Sequence, residues 1–210
     1  MSRSFSIYLD FLRFSAAVLV VLAHVSQDGV VTSSFWLDDF GHEAVVIFFV
    51  LSGVVIASTA HRPGETLRTY SVARLSRLYS VVIPALIFSY VVKGAVAIYA
   101  GGPLLQEFRS VDLSLQNIFL PPLFLSVSSL WGVDPAWNAP YWSVCYEAWY
   151  YIIFGILFFS TSKHKYILAM VAALVAGPAI LALFPIWLAG AAFDRSPATK
   201  IFGDLRSLAY

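Results

Sequence analysis

Apolar runs long enough to cross a bilayer leave this chain little choice of fold. A helix rises about 1.5 Å per residue, so ~30 Å of hydrocarbon takes about 20 apolar residues. Runs of that order fall at about 8–26, 44–60, 79–100 and 141–160. A fifth covers about 166–192, broken at Gly177-Pro178 and again at Pro185. Segment 113–132, LSLQNIFLPPLFLSVSSLWG, carries Gln116, Asn117, Pro121 and Pro122 in its first half, so it reads as re-entrant or interfacial. Every backbone polar group in hydrocarbon needs an internal partner, and helical spans supply one within each segment. The expectation is an all-α polytopic transmembrane helix bundle of about five or six spans, forming one membrane-embedded domain over 1–210. Composition agrees: 60% of residues are hydrophobic and 12% charged, with mean hydropathy +0.79, where soluble domains carry about 25% charged residues.

Charge narrows the function. A formal net charge of +1 offers no basic excess, so no nucleic-acid partner is expected. The single Cys145 excludes an internal disulfide framework and a multi-cysteine metal site. His42-Glu43-Ala44 begins like a zinc motif but lacks its second His, and no G-x-S-x-G elbow occurs. No metal is implied. Arg3 precedes an apolar run as in a secretory signal, yet Asp10 and Arg13 interrupt the place of an uncharged core, so a retained first span is expected. The connection after the second span holds Arg62, Arg68, Arg74 and Arg77, whereas 28–43 has no Lys or Arg. The positive-inside rule then puts the N-terminus and the arginines in the cytoplasm. Lys163, His164 and Lys165 join them only if 113–132 does not cross.

An ionisable side chain at mid-bilayer costs roughly 2.5–3.5 kcal/mol on insertion scales, and the first span holds Asp10, Arg13 and His24. Arg13 and His24 are eleven residues apart, so they share a helix face about 16 Å apart along the axis. Asp10 and Ala17 lie on that face too. One reading is an Asp10–Arg13 pair snorkelling to headgroups with His24 at the opposite interface; the other is a polar stripe facing a wet interior. In the fourth span Trp142, Ser143, Tyr146, Glu147 and Tyr150 share a face, while Trp142, Trp149 and Tyr151 read as an interfacial aromatic belt. Glu147 is either the structural partner of a buried cation or part of a site. A near-neutral imidazole supported by a carboxylate can deprotonate a hydroxyl as it attacks a carbonyl, which is acyl transfer. A proton relay in a transporter or exporter is the alternative.

YLDFLRFSAAVLVVLAHV, GHEAVVIFFVLSGVVIA, ARLSRLYSVVIPAL and WSVCYEAWYYIIF, in this order, resemble the membrane acyltransferase 3 family of envelope O-acyltransferases. Arg13 and His24 match its Arg-x10-His first span, FFVLSG with Ser52 and Gly53 its second, and Arg74 and Arg77 its cytoplasmic arginines. Glu147 matches the first acid of its WSLSVEE-type motif, and Ala148 stands where many members have a second acid. The resemblance implies transfer of an acyl group, commonly acetyl from acetyl-CoA, to a carbohydrate hydroxyl at the bacterial inner membrane. It implies His24, Arg13 and Glu147 as catalytic residues, and Arg74, Arg77, Asp10, Ser52, Ser143 and Tyr146 around acyl-CoA and substrate. The family usually has about ten spans, so the chain is expected to be an amino-terminal portion, with an inactive fragment as the alternative.

Overall fold

The computed structural model describes residues 3–27, 40–99, 115–128, 138 and 140–193; the side chains of 3–6, 10, 24–27, 40, 96–99 and 115 fall outside that description. The elements are α1 (Arg3–Gln27), α2 (Phe40–Ala60), α3 (Leu67–Tyr99), α4 (Leu115–Phe119), a 3-10 turn (Pro121–Leu123), α5 (Tyr141–Phe159), α6 (Lys165–Ala176) and α7 (Pro178–Phe193). The fold is all-α, with no strand among the described residues. Three described stretches are long and apolar enough to cross a membrane, Gly41–Ala60, Leu67–Ala95 and Tyr141–Phe159. The described residues within Met1–Glu65 and Leu183–Tyr210 form one compact unit, and those within Thr66–Ala182 form another.

In the first unit α1 and α2 run antiparallel. Leu9 packs with Leu51 and Val54, and a Cβ built on Gly41 would stand 2.9 Å from that of Ala23. Leu9, Ala16 and Ala23, seven residues apart, are the buried stripe of α1. Small residues let helix axes approach closely where lipid gives no hydrophobic drive between them. The closest approach joins α2 to the end of α7: a Cβ on Gly53 would lie 2.1 Å from the Trp187 carbonyl oxygen, and one on Gly190 would lie 2.1 Å from that of Val50. Gly53 of FFVLSG is thus where two backbones touch.

The second unit is built on α3 and α5, also antiparallel. Near one end the Tyr70 ring lies 5.0 Å from that of Phe159; near the other, Asn138 Nδ2 donates to Ser89 Oγ at 3.4 Å. Lys163, His164 and Lys165 therefore sit at the same end as Arg68. Ala169, Ala172 and Ala176 are the buried face of α6, which packs on α5. Gly177, at φ 89°, ends α6 in a conformation open to glycine, and Tyr150 donates to the Ile180 carbonyl just beyond, at 2.7 Å.

Three sequence expectations change. The third helix begins at Leu67, not about 79, because Thr66 and Thr69 cap it reciprocally: Thr69 N donates to Thr66 Oγ1 at 3.2 Å, and Thr66 N to Thr69 Oγ1 at 2.9 Å. The arginines of that stretch, Arg62 excepted, are helical residues. Pro185 does not break its helix but lies inside α7, since an apolar environment favours keeping the remaining ladder and neighbours can satisfy the freed groups. Trp149 and Tyr151 are buried donors, not an interfacial belt.

Those donors explain segment 115–128, which is α4, the 3-10 turn and irregular backbone. Pro121 and Pro122 cannot donate, Phe124 adopts a left-handed φ of 58°, and the exposed carbonyls need partners. Aromatic side chains of α3 and α5 provide them. Tyr90 donates to Asn117, Tyr79 to Pro122 at 3.0 Å, Tyr141 to Pro121, and Trp149 Nε1 to Phe124 at 3.0 Å. The segment thus passes from the level of Tyr90 to that of Tyr79, roughly 16 Å along α3, and Asn138 is again beside Ser89.

Candidate functional site

A cavity of ≈ 200 Å³ lies between α3 and α5 within the second unit. Tyr70, Ser71 and Arg74 line it from α3, Ala148, Tyr151 and Gly155 from α5, and apolar side chains complete the wall. Leu67, at the loop end, is 45% exposed, whereas Leu78, Phe124 and Ala148 at the far end are 6%, 5% and 2% exposed. The cavity is therefore a blind groove that opens toward the Lys163-His164-Lys165 end. Among the described residues Arg74 is the single charged one on its wall.

Gly155 makes the groove possible: the nearest atom a Cβ there would meet is Tyr70 Cε1, at 3.0 Å. Tyr70 is fixed in turn by donating to the Tyr151 carbonyl at 3.1 Å, and the Arg74 guanidinium carbon lies 5.9 Å from its ring centroid, within cation–π range. The Tyr151 hydroxyl donates to Glu147 Oε1 one turn back on α5. A carboxylate acceptor makes this a charge-assisted bond. Arg74, Tyr70, Tyr151 and Glu147 thus form one linked row.

The expected site residues fall as follows. Arg74, half-buried, lines the groove, while Arg77 is exposed and is not on its wall. Ser143 Oγ donates to the Pro140 carbonyl at 2.8 Å in the first turn of α5, a local helix-start contact. Tyr146 is packed edge-on between Trp142 and Tyr150, with centroids 5.1 and 6.2 Å away. Ser52 is buried in α2, and Arg13 is half-buried on α1. The backbone of α1 is helical through Asp10 and His24, whose side chains lie outside the described residues. Tyr70 and Gly155 are groove residues that the sequence reading did not single out, and Tyr151 enters it only as part of an aromatic belt; the i,i+4 spacing of Glu147 and Tyr151 is the signal that could have tied it to the groove.

The family Acyl_transf_3, described as an acyltransferase domain, matches residues 6–195. The chain belongs to that family, and its apolar helices make it a membrane protein. It is similar to acyltransferase MdmB of Streptomyces mycarofaciens, 27% identical over 155 residues, which are 69% of this chain and 37% of the relative. The chain thus spans well under two thirds of the length of that curated relative. No solved structure matches.

Proposed function

We propose that this chain is an integral-membrane O-acyltransferase that moves an acyl group, acetyl in the simplest case, from acyl-CoA to a hydroxyl of a cell-envelope or exported carbohydrate at the inner membrane. The observation that carries the reading is the blind apolar groove with Arg74 on its wall; membership of an acyltransferase family supports it. A guanidinium presents five N–H donors in a planar fork. Arg74 takes the polar thioester end of the donor, whose phosphates lie toward the open Lys163-His164-Lys165 end; Arg77, exposed and nearer the closed end, is off that path. Either the acceptor oxygen attacks the thioester carbonyl while His24 takes its proton and passes it to the thiolate as the C–S bond breaks, or the His24 imidazole first attacks the thioester and releases CoA thiol, and the acceptor then attacks the acyl-imidazole as its C–N bond breaks and the imidazole keeps the proton; both give an ester and CoA. Arg13, on the same stripe of α1 but about 16 Å from His24 along the axis, meets the incoming thioester and not the oxyanion formed beside His24. Glu147, held by Tyr151, is the carboxylate of the row that reaches Arg74.

The test follows the label. Membranes containing the chain, given CoA carrying a labelled acyl group, are expected to yield labelled ester in the carbohydrate fraction. Substrate accumulating in vesicles without covalent change would point to transport and contradict the proposal.

A further inference from the structure

We propose that the groove between α3 and α5 is an acyl chamber whose closed end, Leu78, Phe124 and Ala148, sets the length of acyl group this protein takes, with an upper limit of about six carbons. The inference rests on the donor reading above and adds a substrate class to it. At ≈ 200 Å³ the groove is smaller than the roughly 300–1,000 Å³ of drug-sized sites, and its walls are apolar apart from Arg74 and the few polar groups beside it. That combination suits a narrow alkyl chain attached to a polar or anionic head. A free sugar would leave its hydroxyls unmatched on these walls, at the cost of buried unpaired polar groups.

Geometry gives the length. Arg74 and Leu78 are four residues apart on α3, about 6 Å along the axis. An extended chain advances about 1.2 Å per bond, so roughly five bonds fit between a head held at Arg74 and the closed end. Acetyl fits with room to spare, and butanoyl to hexanoyl groups fill the space. Leu78, Phe124 and Ala148 are packed from behind: the Phe124 carbonyl is fixed by Trp149, and the Tyr79 ring lies 5.5 Å from the Phe124 ring. The end wall is therefore braced and resists deepening by a longer chain. The lip is different: Leu75 and Ile152 are 47% and 42% exposed, so a chain can slide in sideways.

The experiment is a competition series on the whole chain in lipid nanodiscs, with acetyl-, butanoyl-, hexanoyl-, decanoyl- and hexadecanoyl-CoA. Each buried methylene contributes about fourfold in affinity. Affinity is expected to rise about 15-fold from acetyl to butanoyl, to rise again to hexanoyl, and to stop rising beyond it. Ala148→Leu is expected to lower the hexanoyl-to-acetyl affinity ratio at least tenfold. Leu78→Ala works the other way, moving the optimum to longer chains, and serves where Ala148→Leu does not fold. A series that stays flat, or that climbs steadily to hexadecanoyl as simple partition into lipid would, overturns the chamber and leaves the donor reading standing. Absence of saturable binding for every CoA thioester overturns both. Equal competition by free hexanoate would show a lipid-type site and likewise overturn the proposal.

Discussion

Gly190→Leu is expected to leave almost no monodisperse protein on fluorescence-detected gel filtration in mild detergent. The reason is backbone contact. A Cβ at Gly190 would meet the Val50 carbonyl oxygen at 2.1 Å and the Val50 Cα at 2.9 Å, and neither atom can swing aside as a side-chain tip could. Helices α2 and α7 would have to part along the crossing. Overpacking a tight interior costs about 1–3 kcal/mol, and more when backbone must move. Separation would also remove the van der Waals contacts that hold helices together in lipid. Gly53→Leu is expected to do the same against the Trp187 carbonyl. Gly94→Ala is the control, since nothing lies within 4 Å of its added Cβ and Ala favours a helix by about 1 kcal/mol over Gly. Wild-type elution of Gly190→Leu would show that the two helices do not cross there.

His24→Ala is expected to abolish ester formation while the protein still inserts. A positioned general base contributes about 10²- to 10⁴-fold, and an acyl carrier cannot be replaced by a methyl group at all. Removing an ionisable group from a span lowers its insertion cost, so abundance in the membrane fraction is expected to hold or rise. Loss of labelled ester at unchanged abundance therefore separates chemistry from folding. A variant with wild-type turnover would return His24 to the headgroup region, and Arg13 to a snorkelling role with it.

How much of this was readable in advance depends on whether the cause is local. The spans were readable because hydrocarbon thickness imposes a length that composition reveals directly, and Gly177-Pro178 announced the end of α6 through φ and a missing donor. The start of α3 was obscured because its cap pairs Thr66 with Thr69, lacking the Glu or Gln that usually marks such a box. Pro185 misled because a proline's cost depends on whether neighbours satisfy what it frees. Trp149 and Tyr151 looked like an interfacial belt because amphipathic rings suit that place equally well; their partners, a carbonyl in a distant segment and Glu147, fix the difference. Glu147 is visible as a charge in an apolar segment, and Arg74 as one of the arginines that follow the second span. That they are linked through Tyr70 and Tyr151 depends on the antiparallel register of α3 and α5, which no local pattern encodes.

The most direct measurement is photocrosslinking of the chain in nanodiscs with a CoA thioester bearing a diazirine at the end of a six-carbon acyl group, followed by peptide mapping. Labelling is expected at the closed end, on the peptides that hold Leu78, Phe124 and Ala148, with protection by excess hexanoyl-CoA. Labelling confined to α1 and α2, or spread over the apolar helices and indifferent to competitor, would contradict the groove as the place where the acyl donor is held.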